Sequence, residues 1–469
     1  MRRILFFLLG FYKAFGQTDS TVVCLPCNQI KEDQAFVRLK KTIATRPIRI
    51  VHIGDSHIQI SHFSKQIRDR FTQYVELAGS GISFPYSMAK SVDGPYFKTK
   101  SSGSWVGDNI LSSKPKLDLA LTGYSVRTLD TSASIKFQLR DSKFKFQGVK
   151  VWYHADSLSY LPDLGDSFQL KELVHAEQRM GFAYFVKKSE IDQFELKLIK
   201  KDTLQREFQL HGIELVNSDD QFIYHALGVA GAQFTHLIHH TERWKEQLRL
   251  LNPDLLIFSF GTNEAYNANF DAASFVKQAS RFFDDIRVVL PSVSILVTSP
   301  PDTRSRNRIP AKQVDVIEGQ SQLKASFYDL NKVMGGFGSF QPWFDHEYFL
   351  KDKLHLSKSG YQLQADLFSL ALIRSLMPQW DIQSLQQHVE KYTNLLLKNK
   401  YISDSLAVDT FVIRPKKRNL SKSLFHKVKK GDTFYSIAKR YHISLEALED
   451  KNRRLKSKSL HVGDRIRIK

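Results

Sequence analysis

The chain has 469 residues, 42% of them hydrophobic and 12% aromatic, with 68 Lys+Arg against 48 Asp+Glu for a formal net charge of +20. These values exclude an intrinsically disordered chain, and the length suits about two to four domains with packed cores. The charge is uneven, because residues 401–469 hold 18 Lys+Arg against 7 Asp+Glu and so carry +11.

In chain order, Met1-Arg2-Arg3 precedes an apolar run, Ile4 to Leu9, that is too short to span a bilayer. Ala14-Phe15-Gly16 supplies small residues at cleavage spacing, so 1–16 reads as a secretory signal peptide cut before Gln17. No Cys stands at the new N-terminus, so no lipid anchor is expected there, and no later stretch is apolar enough for a transmembrane segment. Residues 17–43 read as an extended N-terminal arm. Its Cys24 and Cys27, the only cysteines, can pair locally in an oxidising compartment, as a structural or incidental pair.

Ile48 to Ile53 is an apolar, β-rich run that stops at Gly54 and is followed by Asp55-Ser56-His57. A buried strand ending in a Gly turn presents the next polar residue at the carboxyl edge of a sheet, where open α/β folds bind ligands. Ser56 is therefore a candidate nucleophile, although a Ser there is also an ordinary helix cap. A helix over about 63–74 follows, and Gly79 to Pro85 reads as a loop. Between 94 and 218 the texture changes to short alternating segments, such as Ile135 to Leu139 and Phe194 to Leu198, the pattern of an inserted all-β sandwich. The α/β texture returns with Phe222 to Val229, a helix over 233–250, and a strand over 254–260 ending in Gly261-Thr262-Asn263-Glu264. A helix over 271–290, strands over 294–298 and 325–330, and a helix over 357–377 complete a mostly parallel sheet covered on both sides. Residues 378–400 look helical, 401–424 read as a linker, and 425–469 form a compact last unit.

Ser56, Gly231, Asn263 and the pair Asp352/His355 each follow a strand or precede a helix, so all could meet at one sheet edge. A serine needs a base to take its proton. His355 can do so, and the Asp352 carboxylate can fix the imidazole tautomer. Acyl transfer also needs donors aimed at the developing oxyanion. The amides of Ser56 and Gly231 and the side-chain amide of Asn263 suit that task. Taken singly, Gly231 could be a turn glycine and Asn263 a helix cap. Gly228 is a rival for Gly231, His57 is a badly placed rival base, and His52 is expected to be packed in the strand. No cofactor is called for, and no metal is implied, because no His/Asp/Glu cluster has ligand spacing of its own.

Gly-Asp-Ser after the first strand, Gly-Thr-Asn-Glu after a middle strand and Asp-x-x-His near the domain end resemble the SGNH (GDSL) hydrolase superfamily over about 44–92 and 219–398. The resemblance implies a three-layer, flavodoxin-like α/β fold in two parts, 44–93 and 219–400, around the 94–218 insert. It makes Ser56 the nucleophile, His355 the base, Asp352 the orienting acid, and Gly231 with Asn263 the oxyanion hole. Gly-Asp-Ser-His, Gly-Thr-Asn-Glu-Ala at 261–265 and the β insert look similar to peptidoglycan O-acetyl esterases and related O-acetyltransferases. His57, Glu264 and Ala265 would then shape the pocket. An inactive wall-binding protein is the alternative outside enzymology. Trp105, Trp152 and Tyr153 could stack on sugar or sit in the core.

The last unit resembles a LysM module through His426 to Thr433, Ser436 to Tyr441, Ser444 to Leu448, Asn452 and Leu460 to Asp464, but lacks the common closing Pro. The resemblance implies a small βααβ module binding peptidoglycan or another N-acetylglucosamine-containing polymer. A basic tail often suggests nucleic acid. For an exported protein of the periplasm or cell envelope, an anionic wall polymer or membrane surface is the more natural partner, and nucleic acid is not expected.

Overall fold

The computed structural model describes residues 23–60, 62–92, 97–140, 146–217, 222–238, 241–393, 425–428, 432–441, 448–449, 452, 461 and 463–468. They fall into two compact units, within 1–403 and 404–469. The expected signal peptide and linker lie outside the described residues.

The first unit is built on a parallel sheet of five strands, Ile223–Gly228, Arg49–Gly54, Leu255–Ser259, Ser294–Thr298 and Ser326–Tyr328, in that spatial order. Numbered along the chain within this sheet the order is 2-1-3-4-5, so the order reverses between Arg49–Gly54 and Leu255–Ser259. The crevice at such a reversal, beyond the carboxyl ends of the strands, is where open α/β sheets bind ligands.

Strand residues alternate between two faces. Val51, Ile53, Leu256, Phe258, Ile295 and Val297 belong to one core with the helix Ala272–Val289, which buries Phe275, Ala279, Phe282, Phe283 and Ile286. Ile50, Leu255, Ile257 and Leu296 face the other way, into a core with the helices His62–Phe71 and Lys358–Leu376. Asp271 caps the first of these helices by accepting from the N–H groups of Ala273 and Ser274, and Ser357 caps the last through Gly360 N–H. Residues 383–393 are also helical.

Two antiparallel sheets lie between the first and second strands of the parallel sheet. One has seven strands and includes Tyr124–Thr128, Phe146–His154, Met180–Ile191 and Phe208–Val216, and the other has four. Phe146 of the larger meets Phe194 of the smaller, ring centroids 6.0 Å apart. Gly79–Ser83, expected as a loop, is a strand of the larger sheet, paired to Ile213–Val216. Trp152 and Tyr153 are fully buried, which removes them as sugar-stacking residues, and Trp105 packs partly buried against the core with its indole N–H donating to Ser102 O. The antiparallel region shares one continuous core with the Ala272–Val289 face of the parallel sheet. Gln247 accepts from Leu121 N–H at 2.9 Å, and Arg243 pairs with Asp118 at 2.9 Å, fastening the two parts.

The arm expected to be extended instead contains a helix, Gln34–Ile43, capped by Asp33 and burying Phe36 and Leu39. Cys24 and Cys27 are joined in a disulfide. Asn28 accepts from the Tyr328 hydroxyl and donates to Leu367 O, so the arm is part of the packed unit.

In the second unit, Phe425–Lys427 pairs antiparallel with Arg465–Arg467, and the helix Phe434–Arg440 packs on them through Ile437 and Ala438. His426 lies between the Tyr441 hydroxyl and the Asp432 carboxylate, at 2.9 and 2.8 Å. Asn452 donates to Leu448 O and Arg467 O and accepts from Arg467 N–H. Most of the expected second helix, 444–447, lies outside the described residues. No described helix is long and apolar enough to cross a membrane.

Candidate active site

The strand Arg49–Gly54 delivers Asp55 and Ser56 to the crevice at the strand-order reversal. Asp55 caps the short helix Ser56–Gln59 by accepting from His57 N–H at 3.0 Å. Ser56 is 9% exposed, and its Oγ is 2.9 Å from His355 Nε2. The other ring nitrogen, Nδ1, is 2.7 Å from Asp352 Oδ2. A carboxylate only accepts, so Nδ1 carries the ring proton, leaving the Nε2 lone pair facing the serine hydroxyl. The second Asp352 oxygen accepts from the N–H groups of Leu354 and His355, each at 3.0 Å, which closes the loop around the carboxylate. Burial alone would raise the Asp352 carboxyl. The bonds from the His355 ring and the two amides outweigh it and hold the group below its ordinary value. Ser56 and a His-Asp pair 299 positions further along the chain thus form one hydrogen-bonded line.

Asn263 follows the strand Leu255–Ser259 on the next loop. Its Nδ2 donates to Ala232 O at 2.8 Å and lies 3.5 Å from Asp55 Oδ2. Gly231 is the third residue of the turn Val229–Ala232, closed by Ala232 N–H donating to Val229 O at 3.0 Å. Its φ is +86°, the conformation a type II turn reserves for glycine at this position. Gly228 has a different duty. A Cβ there would lie 2.1 Å from Gln59 N, so this glycine lets the helix carrying Ser56 settle against the strand Ile223–Gly228. The structure therefore brings Ser56, Asp352, His355, Asn263 and the turn of Gly231 to one edge, with Gly228 as packing beneath it.

His57 points inward. It is buried, its Nδ1 is 2.9 Å from the Tyr361 hydroxyl, and burial lowers it to about 3, so it is a neutral wall beside the His355 ring, 5.5 Å away. His52 is buried in the strand between Tyr224 and Ser259. Glu264 ties two blocks together. Its carboxyl accepts from Gly261 N–H at 2.9 Å and from Phe234 N–H at 2.6 Å, joining the loop of Asn263 to the helix after Gly231. Sequence reading missed the roles of Tyr361 and Gln59, because each acts through a partner remote in the chain.

Burial pushes both Asp55 and Glu264 up to about 7. Their folded values lie above their unfolded ones, so the stability they contribute is present below about pH 4 and is lost as pH rises through about 7. A tenfold difference in proton affinity is worth about 1.4 kcal/mol, so each group should cost a few kcal/mol over that window. The buried His52, His57, His211 and His225, all lowered by burial, act in the opposite sense over the same window. The carboxyl contribution is therefore read as a difference: between about pH 4.5 and 7 the melting temperature of Asp55→Asn should gain on that of wild type. An unchanged slope in that variant refutes the assignment.

No curated protein matches the chain. The sequence pattern of the LysM domain matches residues 426–469. Among solved structures, the chain is similar to one described as a peptidoglycan O-acetylesterase in action, at 20% identity over 74% of this chain and 98% of that chain, with a TM-score of 0.60. It is also similar to a lipase/acylhydrolase from Enterococcus faecalis (19% identity, 32% of this chain, 74% of that one, TM-score 0.26). A family 3 carbohydrate esterase from Clostridium thermocellum gives 20%, 33%, 72% and 0.25. The chain therefore shares the fold of a solved structure described as a peptidoglycan O-acetylesterase, and its residues 426–469 match the LysM domain.

Proposed function

We propose that this protein is a serine esterase that removes O-acetyl groups from peptidoglycan or a related cell-wall glycan. The observation that carries the reading is the line from Ser56 Oγ through the His355 ring to Asp352. His355 Nε2 takes the Ser56 proton as Oγ attacks the acetyl carbonyl. The C–O bond to the sugar then breaks, and the sugar oxygen receives that proton. Water attacks the acetyl-serine with His355 again as base, releasing acetate and restoring Ser56. Asp352 stays ionised and stabilises the imidazolium at each step. Asn263 Nδ2 and the amides of Gly231 and Ser56 receive the oxyanion. The acyl group and the glycan come from the structural neighbour and the LysM match, which also support an exported protein working at the cell wall. The test is acetate release from O-acetylated peptidoglycan, with de-acetylated peptidoglycan as control. No release from the acetylated polymer overturns the substrate, and acetyl gain by a glycan acceptor makes the enzyme a transferase.

The LysM domain should hold the enzyme on the polymer and raise the local substrate concentration. Truncation after residue 400 should spare turnover of a small soluble acetyl ester. It should also abolish pelleting with insoluble peptidoglycan and slow deacetylation of the polymer. The deleted tail also carries +11. Charge attraction fades as the Debye length shrinks from ~10 Å at 0.1 M salt to ~3 Å at 1 M. Pelleting that vanishes in 1 M salt and resists competition by N-acetylglucosamine oligomers would reduce the tail to a basic patch.

A further inference from the structure

The residue three positions after Ser56 touches both the turn of Gly231 and the antiparallel region. Gln59 is 7% exposed, and its side-chain amide has every hydrogen-bonding position occupied. Oε1 accepts from Ala230 N–H at 2.6 Å and from the Tyr124 hydroxyl at 3.2 Å. Nε2 donates to Ser91 Oγ at 2.8 Å and to Val92 O at 3.3 Å. The backbone donor at Ala230 fixes which end of the amide is oxygen, so the orientation is unambiguous. Tyr124, on the strand Tyr124–Thr128, is itself buried, packed against Phe84 and Tyr86, and its hydroxyl also lies 3.2 Å from Ser91 Oγ. Leu111, from a loop of the same region, comes within 3.5 Å of where a Cβ on Gly231 would sit.

Ala230 directly precedes Gly231, so a clamp on the Ala230 amide sets the turn that presents the Gly231 amide. We propose that Gln59 is a positioning residue for the oxyanion side of the site, and that the antiparallel region completes that side by holding Gln59 through Tyr124 and Ser91. The region is then part of the catalytic machine and not only a separate binding module. The inference rests on the esterase reading for its effect on rate, but the clamp itself can be tested without any substrate.

The variants are Gln59→Met, which keeps shape and removes the polar atoms, and Tyr124→Phe, which removes only the hydroxyl. With an aryl acetate, Gln59→Met should lower kcat about 10-fold and Tyr124→Phe about 3-fold, with KM within about 2-fold, short of the roughly 100-fold cost of deleting an oxyanion donor. The double variant should lose less than the product of the single losses, because both act through one clamp. Hydrogen exchange of the peptide spanning 226–233 should quicken about 10-fold in Gln59→Met, with the melting temperature of Tyr124→Phe close to wild type. Unchanged kcat in both variants of an active enzyme overturns the proposal, and so do fully multiplicative losses. If wild type hydrolyses no acetyl ester, the esterase reading fails, and exchange decides the clamp: unchanged exchange at 226–233 refutes it, and faster exchange upholds it.

Discussion

Ser56→Ala is expected to lower acetyl-ester turnover on the order of 10⁴-fold or more, with little change in KM or in melting temperature. Removing the nucleophile of a Ser-His-acid line leaves only the contributions of binding and the oxyanion donors. Ser56 Oγ has a single purpose in the resting geometry, its 2.9 Å contact with His355 Nε2, so alanine there should disturb little else. His355→Ala should cost a similar factor, and the double variant should cost hardly more than either, because the two act as a unit. Asp352→Ala should cost less. Its side chain is 49% exposed, and solvent can take over part of the stabilisation of the imidazolium. A fluorophosphonate probe should label wild type at Ser56 and leave the Ser56→Ala and His355→Ala proteins unlabelled or nearly so. Full activity in purified Ser56→Ala protein would sink the assignment, and an unlabelled, inactive wild type would favour a wall-binding protein with a silent site.

The parallel sheet could be read from the chain because its strands are short apolar runs, four of them closed within two residues by a glycine or a proline and the last, Ser326–Tyr328, by the capping Asp329. A buried parallel strand leaves that trace directly in composition. The candidate nucleophile, amide and base were legible for the same reason, since each stands just past such a run or just before a capped helix. The strand Gly79–Ser83 was not legible. Its Gly79, Ser80 and Gly81 have no β preference of their own, and pairing with Phe208–Val216, remote in the chain, imposes the conformation. The helix Gln34–Ile43 had a local signature in Asp33, Phe36 and Leu39, and the reading of an extended arm passed over it. The choice between Gly228 and Gly231 also needed three dimensions. One ends the strand Ile223–Gly228 and the other follows it by three residues, and only the approach of Gln59 N to Gly228 and the positive φ of Gly231 separate packing from turn. The clamp of Tyr124 on Gln59 joins residues 65 positions apart and has no periodicity to announce it.

Asn263→Ala is expected to lower kcat on the order of 100- to 1,000-fold while leaving KM nearly unchanged, the result of losing a donor that acts mainly on the transition state. The resting geometry shows why this amide is suited to the task. One Nδ2 proton is committed to Ala232 O at 2.8 Å, which orients the group. The other faces Asp55 at 3.5 Å, a contact at the outer limit of hydrogen bonding that can be released at low cost when an oxyanion forms. Asn263→Asp should fare no better than alanine, because a carboxylate would face the developing negative charge and the buried Asp55 together. The split between kcat and KM separates this role from simple anchoring of the loop. Glu264, through Gly261 and Phe234, already holds that loop in place, so Asn263→Ala should retain the wild-type melting temperature to within a few degrees. A variant that loses KM and stability in step with kcat would make Asn263 a structural cap. The oxyanion would then fall to the amides of Ser56 and Gly231.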